Sequence, residues 1–266
     1  MIGAIFGDVA GSVYEFRNCR KKEFPLMSEH CTFTDDSVMT VAVAEALLTY
    51  RREEDVSLFR ERLIDSMHKW GHAYPYAGYG GRFFHWLAGK SREPYNSYGN
   101  GSAMRVSPVG WYAESLQEAL ELARASAEVT HNHPEGIKGA EVTAGAVFLA
   151  RAGATMEQIH TFVSCYYDMD FTLDEIRPTY YFNETCQYTV PQAMEAFFES
   201  VSFEDCIRCG VSLGGDTDTI CAICGAVAEA YYGMTQEQRN MALDRLDPPL
   251  REVAENFYRT LGAGRS

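Results

Sequence analysis

The stretch Gly214-Gly215-Asp216-Thr217-Asp218-Thr219 places two carboxylates and two hydroxyls within four residues. An apolar run from Ile220 to Tyr232 follows directly and predicts a helix, and the two glycines give the chain freedom to turn into it. Asp216 and Asp218 are two residues apart, so they would not share a face of a regular helix. They converge only if the backbone is still turning there, with Asp216 and Thr219 together in the first turn. Oxygen ligands packed in this way suit a hard divalent cation such as Mg²⁺.

An ordinary helix N-cap is the alternative, because Asp and Thr are the residues expected at that position. A second acidic helix start favours a metal site over a cap. Thr34-Asp35-Asp36 opens an apolar helix from Val38 to about Tyr50. The adjacent carboxylates repel each other, and metal ions would offset that repulsion far better than a helix N-terminus alone. Together the two segments provide four carboxylates and two hydroxyls, which is enough to hold two divalent ions.

Residues 2–16 have the pattern of a helix with two different faces. One face carries a glycine at every fourth position, namely Gly3, Gly7 and Gly11. Because each glycine costs a helix about 1 kcal/mol in water, this line indicates very close packing against another helix. A second face carries a polar stripe, formed by Asp8, Ser12 and Glu15. We expect this stripe to line a buried polar cleft, with a solvated helix face as the alternative.

Helical spacing of apolar residues recurs along the rest of the chain, and no alternating strand pattern of useful length is present. Short motifs such as Thr155-x-x-Gln158 and Thr235-x-x-Gln238 mark further helix starts. The sequence therefore predicts an all-α fold of about ten to twelve helices in a compact orthogonal bundle. Because there is no repeat, low-complexity tract or linker, we expect residues 1–266 to form a single domain. Residues 168–190 are irregular, tyrosine-rich and acidic, which is compatible with a flap.

The net charge of the chain is −14, which would repel nucleic acid and acidic membranes. No run is long and apolar enough to span a bilayer, and the first residues lack the basic region of a signal peptide. We therefore expect a cytoplasmic protein, a monomer or a weak homo-oligomer, without nucleic-acid or membrane partners. Two cysteine pairs, Cys206-x-x-Cys209 and Cys221-x-x-Cys224, raise structural zinc as an alternative function for that region. Their helical spacing and apolar neighbours favour buried cysteines instead.

Three loops carry residues suited to ligand binding. Tyr98 to Arg105 is a glycine-rich helix start whose backbone N–H groups could hold phosphate oxygens, with a simple Asn-Gly turn as the alternative. His131 and His133 lie on a connecting loop and could contact a ligand, although the hard oxygen ligands elsewhere argue against metal binding by them. Residues 71–81 form a long loop of aromatic residues and glycines that either lines a site or packs back on the core.

Five motifs occur in one order: Gly7-Asp8 with Tyr14-Glu15, Thr34-Asp35-Asp36, Gly99 to Arg105, Thr130-His131, and Gly214 to Thr219. In this combination the chain closely resembles the ADP-ribosylglycohydrolase family over most of its length, from Gly3 to about Gly233. Each motif alone is unspecific, but the combination is specific. The resemblance implies an all-α fold with a binuclear magnesium or manganese centre. It also implies removal of ADP-ribose from modified side chains or related acceptors.

The resemblance further implies roles for individual residues. Metal ligands are expected at six positions: Thr34, Asp35, Asp36, Asp216, Asp218 and Thr219. Substrate binding is expected at Gly99, Asn100, Gly101, Ser102, Met104, Arg105 and His131. Glu15 is similar to a glutamate that approaches the scissile ribose in some members, so either Asp36 or Glu15 is expected to act as base on water or as acid on the leaving group. Tyr98 or Tyr79 is expected to stack on adenine.

The reaction implied by the resemblance is hydrolysis of the glycosidic bond at ribose C1″, through a transition state with oxocarbenium character. The substrate would be an ADP-ribosylated protein or a small ADP-ribosyl conjugate. Two other classes of function stay open. One is a metal-dependent phosphohydrolase that acts on the diphosphate, and the other is a catalytically silent relative that binds ADP-ribose. The complete set of metal-type residues weighs against the silent relative.

Overall fold

The computed structural model describes residues 1–89 and 91–263. These residues form α-helices joined by turns and loops, with no β-strand among them, which confirms the predicted all-α class. The helices are, in chain order, α1 (Ile2–Gly11), α2 (Asp35–Thr49), α3 (Val56–Ala73), α4 (Gly81–Ala88), α5 (Gly101–Met104), α6 (Ser107–Tyr112), α7 (Leu116–Glu128), α8 (Pro134–Arg151), α9 (Met156–Ser164), α10 (Leu173–Ile176), α11 (Val190–Phe198), α12 (Phe203–Leu213), α13 (Thr217–Tyr232), α14 (Gln236–Leu243) and α15 (Pro248–Ala263). A 3-10 helix, Cys186–Tyr188, precedes α11.

Three of these helices, α5, α6 and α10, have six residues or fewer. Such short helices cannot show a helical period, and the remaining twelve agree with the predicted number. The motifs that mark helix starts also act as predicted. Thr155 with Gln158 and Thr235 with Gln238 form reciprocal capping boxes at the beginnings of α9 and α14.

The centre of the bundle consists of α1 and α13. All ten residues of α1 are buried, and α13 is buried from Thr217 to Glu229. Around them, α2, α12 and α14 pack against α1, and α8, α11 and α12 pack against α13. No helix of the described ranges combines the length and the apolar character that crossing a bilayer requires.

The line of glycines on α1 is the surface that contacts α13. A Cβ atom added at Gly7 would lie 1.9 Å from the carbonyl oxygen of Cys221, which is far inside van der Waals contact. Added at Gly3 and Gly11, it would lie 2.3 and 2.4 Å from the carbonyl oxygens of Gly225 and Thr217. The partner residues fall in number as those of α1 rise, so the two helices are antiparallel. The C-terminal end of α1 therefore lies beside the N-terminal end of α13, as close as two backbones without side chains allow.

The first helix is shorter than predicted. It ends at Gly11 rather than near residue 16, and the next residues tighten into a turn in which Tyr14 N donates to Gly11 O. Tyr14 packs edge-on against Phe24, 4.9 Å between ring centroids, and this packing draws the chain away from the helix axis. The expected polar stripe is therefore split. Asp8 lies within the helix, whereas Glu15 lies in the turn beyond it.

Candidate active site

Asp8 joins the first helix to the beginning of the second. Its side chain is fully buried, and its Oδ2 atom accepts hydrogen bonds from Thr34 N (2.9 Å), Ser37 N (3.0 Å) and the Ser37 hydroxyl. Its Oδ1 atom accepts a hydrogen bond of 2.7 Å from the Thr34 hydroxyl. The first turn of α2, which contains the predicted acidic motif, is thereby held to the C-terminal half of α1.

The turn before α13 positions the second acidic motif. Gly214 and Gly215 have φ values of 74° and 79°, which only glycine adopts readily, and Gly215 N donates to Asn18 Oδ1 at 2.8 Å. Asp216 occupies the N-cap position, but its side chain makes no capping hydrogen bond. Its Oδ2 atom accepts a 2.7 Å hydrogen bond from Asn100 Nδ2 instead. The carboxylate is thus directed away from the helix, contrary to the ordinary N-cap interpretation.

The two acidic helix starts meet in space, together with the turn after α1. Glu15, Asp216 and Asp218 each place a carboxylate oxygen within 4.8 Å of the others. Asp36 is 3% exposed, and its Oδ2 atom accepts a 3.3 Å hydrogen bond from the hydroxyl of Thr219. Its Oδ1 atom is buried and has no hydrogen-bond partner. The arrangement is a cluster of buried carboxylates in which one oxygen, Asp36 Oδ1, accepts no hydrogen bond.

The carboxylates of the cluster destabilise one another's charged forms. Burial, and then the neighbouring Asp218, raise the pKa values of Asp35 and Asp36 well above the usual range. Burial raises the pKa of Asp216 to about 6, and burial with the charges of Asp218 and Asp8 raises the pKa of Glu15 to about 7. Buried charges of one sign need an opposite charge nearby. Clustered carboxylate oxygens are the donors that hard divalent cations prefer, so the residues present fit such ions.

The cluster forms part of the wall of a cavity of about 490 Å³. The glycine-rich loop forms another part, with Gly99, Asn100, Gly101, Met104 and Arg105 all reaching the cavity. Because Asn100 binds Asp216 directly, this loop and the acidic cluster are in contact within one site.

His131 lines the same cavity beside the glycine-rich loop. Its Nδ1 atom is paired with the Thr130 hydroxyl at 2.7 Å, and its Nε2 atom would lie 3.2 Å from a Cβ added at Gly101. Burial, and then the charges of Arg105 and Arg82, hold the pKa of His131 well below its usual value. The imidazole is therefore neutral at physiological pH, so it can form hydrogen bonds with a ligand but no ion pair.

Two residues of the predicted substrate loop have structural contacts. Ser102 is buried and does not line the cavity, because its hydroxyl donates a 2.6 Å hydrogen bond to the carbonyl oxygen of Gly136 on α8. The guanidinium of Arg105 is buried beneath the loop and donates to Ser126 O and to the Thr130 hydroxyl. These two side chains hold the loop in place from below.

The segment 168–190 supplies a wall that the sequence did not assign. Glu184 O accepts a 2.8 Å hydrogen bond from Asn100 N, and Cys186 N donates a 3.0 Å hydrogen bond to Tyr98 O. Phe182 and Thr185 also line the cavity. Two side chains of the segment also contact the glycine-rich loop: the Thr189 hydroxyl accepts a 3.1 Å hydrogen bond from Asn100 Nδ2, and the Cys186 thiol donates to Gly99 O. No motif in the segment indicates these contacts, because they join residues that are distant in sequence.

The aromatic loop predicted at residues 71–81 is shorter in the structure, because α3 continues to Ala73 and α4 begins at Gly81, and it also belongs to the site. Gly78, Gly80 and Gly81 line the cavity, and Ala77 O accepts a 2.9 Å hydrogen bond from Asp35 N. Of the two aromatic residues expected to stack on adenine, Tyr98 lines the cavity and is 44% exposed. Tyr79 does not line it and packs against Phe83, 5.5 Å between ring centroids.

The four cysteines of the two CxxC pairs lie buried where α12 packs against α13. Within the described ranges, the set of acidic, cysteine and histidine ligands close enough to hold an ion is Glu15 with Asp216 and Asp218, and it includes no cysteine. The cysteines therefore act as small apolar residues at a helix contact, as the sequence favoured.

Comparison with known proteins gives matches along almost the whole chain. The sequence profile described as ADP-ribosylglycohydrolase matches residues 1–264. ADP-ribosylhydrolase ARH3 of Mus musculus is 28% identical to the chain, over 89% of this chain and 83% of the mouse protein. ADP-ribosylarginine hydrolase Tri1 of Serratia proteamaculans (strain 568) is 23% identical, over 88% of this chain and 70% of its own length. A solved structure titled ADP-ribosylglycohydrolase-related protein complex has a TM-score of 0.71 and 26% identity, and the match covers 97% of this chain and 94% of that chain. These matches confirm the resemblance drawn from the five motifs.

Proposed function

Because the chain belongs to the ADP-ribosylglycohydrolase family, we propose that it is a metal-dependent hydrolase that removes ADP-ribose from a modified protein side chain or a related conjugate. The bond broken is the glycosidic bond at ribose C1″. One observation carries this proposal. Two acidic motifs that are about 180 residues apart in sequence meet in a single cavity, which the glycine-rich loop also lines.

We propose that two divalent cations, Mg²⁺ with Mn²⁺ as the alternative, bind at the acidic cluster. Their ligands would come from the two acidic helix starts: Thr34, Asp35, Asp36, Asp216, Asp218 and Thr219. The buried, unpaired Oδ1 atom of Asp36 and the convergence of Asp216 and Asp218 with Glu15 support this assignment. Cations bound there would supply Lewis-acid stabilisation and an activated water beside the ribose.

The chain's own residues would bind the substrate and move protons. Asn100 fixes the Asp216 carboxylate through its 2.7 Å hydrogen bond, so the orientation of that group does not depend on the substrate. Glu15 is half-buried at the cavity wall, where its carboxyl can take a proton from water or give one to the leaving group, and Asp36 is the alternative for this role. Positive charge develops on the sugar in the transition state, and the surrounding carboxylates stabilise it.

Several further properties are part of the same proposal. The whole chain, residues 1–266, would act as a single domain, as a monomer or a weak homo-oligomer, on an ADP-ribosylated protein or a small ADP-ribosyl conjugate. A cytoplasmic location is supported by the eight cysteines, none of which forms a disulfide although all lie in described parts of the chain. Phosphate binding by the glycine-rich loop is supported by its position along the cavity.

Replacing Asp36 or Asp218 by asparagine tests the proposal. Each change should abolish release of ADP-ribose from a panel of substrates of known linkage, supplied with Mg²⁺ or Mn²⁺, while the far-ultraviolet circular dichroism spectrum stays that of the wild type. Asp244→Asn is the matched control, because Asp244 pairs with Arg251 on the surface and is 65% exposed. Unchanged turnover in both cluster variants would reject the metal-dependent mechanism. Release of AMP or phosphate would identify a phosphohydrolase. Binding of ADP-ribose in a calorimeter without any turnover would identify a catalytically silent relative.

A further inference from the structure

The charges around the cavity are strongly unbalanced. The acidic residues that line it are Glu15, Asp35, Asp36, Glu184, Asp216 and Asp218. Of the arginine and lysine residues in the described part of the chain, Arg82 and Arg105 reach its wall. The proposed divalent cations would bind at the carboxylate cluster itself, so a diphosphate along the glycine-rich loop, with two negative charges, still needs a positive group of its own.

Arg105 is largely enclosed by the protein, although its buried Nε atom has no partner. Its side chain is 1% exposed, and one of its terminal nitrogens donates to both Ser126 O (3.0 Å) and the Thr130 hydroxyl (2.9 Å). These bonds hold the guanidinium beneath the glycine-rich loop, where it supports the backbone.

Arg82 has the opposite character. It lies in the first turn of α4, its side chain is exposed, and its guanidinium carbon lies 4.9 Å from the centre of the Tyr95 ring. One terminal nitrogen donates to Tyr95 O, and the described residues provide no partner for the other N–H groups. The ring and the carbonyl together order the guanidinium while leaving donors free at the cavity wall.

Arg82 also lies near the glycine-rich loop. Its guanidinium lies over the ring of Tyr95, and the centre of that ring lies 6.0 Å from the centre of the His131 ring. His131 Nε2 in turn faces Gly101 at the beginning of α5. Arg82 therefore flanks the stretch of backbone that the sequence associates with phosphate binding. Helix α4 begins at Gly81, and the positive end of its dipole there also attracts phosphate.

We propose that Arg82 binds the diphosphate of the ADP-ribosyl substrate, as the arginine of the cavity wall that has free donors. This inference rests on the proposed function, since it requires a substrate that contains a diphosphate. A guanidinium presents paired N–H donors that match two phosphate oxygens, and its geometry here is set before the ligand arrives. Arg82 stands in no recognisable sequence motif, so its role is visible only in the folded structure.

The test compares two ligands in two variants. Binding of ADP-ribose and of adenosine, which lacks phosphate, is measured by calorimetry in the presence of Mg²⁺ for the wild type, Arg82→Met and Arg82→Lys. Arg92→Met is the matched control, since Arg92 pairs with Asp65 on the surface and does not line the cavity. We expect Arg82→Met to weaken ADP-ribose binding about 10- to 100-fold, to leave adenosine binding unchanged, and to reduce the salt dependence of ADP-ribose binding. Arg82→Lys should lie between Arg82→Met and the wild type.

Each contrary outcome has a distinct meaning. Wild-type affinity for ADP-ribose in Arg82→Met would overturn the role of Arg82 and leave the proposed function standing. Equal losses for ADP-ribose and adenosine would also overturn it, because Arg82 would then support the cavity as a whole. A wild-type protein that binds no ADP-ribose would overturn the proposed function together with this inference.

Discussion

Replacing Gly7 by alanine should damage the site much more than the fold. A Cβ at this position would lie 1.9 Å from Cys221 O and 2.2 Å from Cys221 C, whereas real Cβ contacts are essentially never under 3.0 Å. The helices α1 and α13 would therefore have to separate by about 1 Å or more. Overpacking of this kind costs about 1–3 kcal/mol, and alanine recovers about 1 kcal/mol of helix propensity. The expected net loss of unfolding free energy is therefore at most about 2 kcal/mol.

The same separation acts directly on the acidic cluster. Asp8 and Glu15 move with α1, whereas Asp216 and Asp218 move with α13. Because a misplacement of about 1 Å can cost about 100-fold in rate, we expect ADP-ribose release to fall by about that factor.

The assay measures urea unfolding by circular dichroism together with the rate of ADP-ribose release. Gly262→Ala is the matched control, because Gly262 is an exposed glycine of α15 with no atom within 4 Å of the added Cβ. A Gly7→Ala protein with wild-type activity would refute the reasoning that the contact between α1 and α13 sets the geometry of the cluster. An activity loss no greater than the loss of folded protein would refute it as well.

Two further predictions concern buried carboxyl groups. Asp8→Asn should lower the unfolding free energy by about 1–3 kcal/mol, because an amide cannot accept all the hydrogen bonds that both oxygens accept from the first turn of α2; an unchanged urea midpoint would contradict this. Burial and the neighbouring Glu199 raise the pKa of Glu195 to about 7 from its usual 4.5. The ionised carboxylate therefore destabilises the fold fully above the raised pKa and not at all below the usual one. Glu195→Gln should accordingly raise the melting temperature more at pH 8 than at pH 5. Equal shifts at both pH values would argue against a raised pKa.

Local patterns predicted a large part of the site. The four-residue spacing of Gly3, Gly7 and Gly11 indicated a close helix contact, and α13 provides it. The acidic sequences at the N-terminal ends of α2 and α13 indicated ligands, and both reach the cavity. These predictions succeeded because a helix period and a turn that requires glycine are properties of neighbouring residues.

Other features of the site depend on contacts between distant residues. Residues 17–22 are mostly polar and show no motif in the sequence. In the structure, Asn18 accepts a hydrogen bond from Gly215 N and Arg20 donates one to Leu213 O, so both hold the turn before α13. Glu184 enters the site through its backbone oxygen, which any residue type carries. The early end of α1 at Gly11 follows from the packing of Tyr14 against Phe24.

By itself, the amino-acid sequence determined the helical class, the places where helices start, and the kinds of atoms available for binding, because these depend on residues close together in the chain. Only the tertiary structure decided which carboxylates meet, that Ser102 turns away from the cavity while Arg82 reaches it, and that segment 168–190 forms a wall. The reason is geometric. The antiparallel contact of α1 with α13 places residues some 200 positions apart at one point, and no local pattern contains that information.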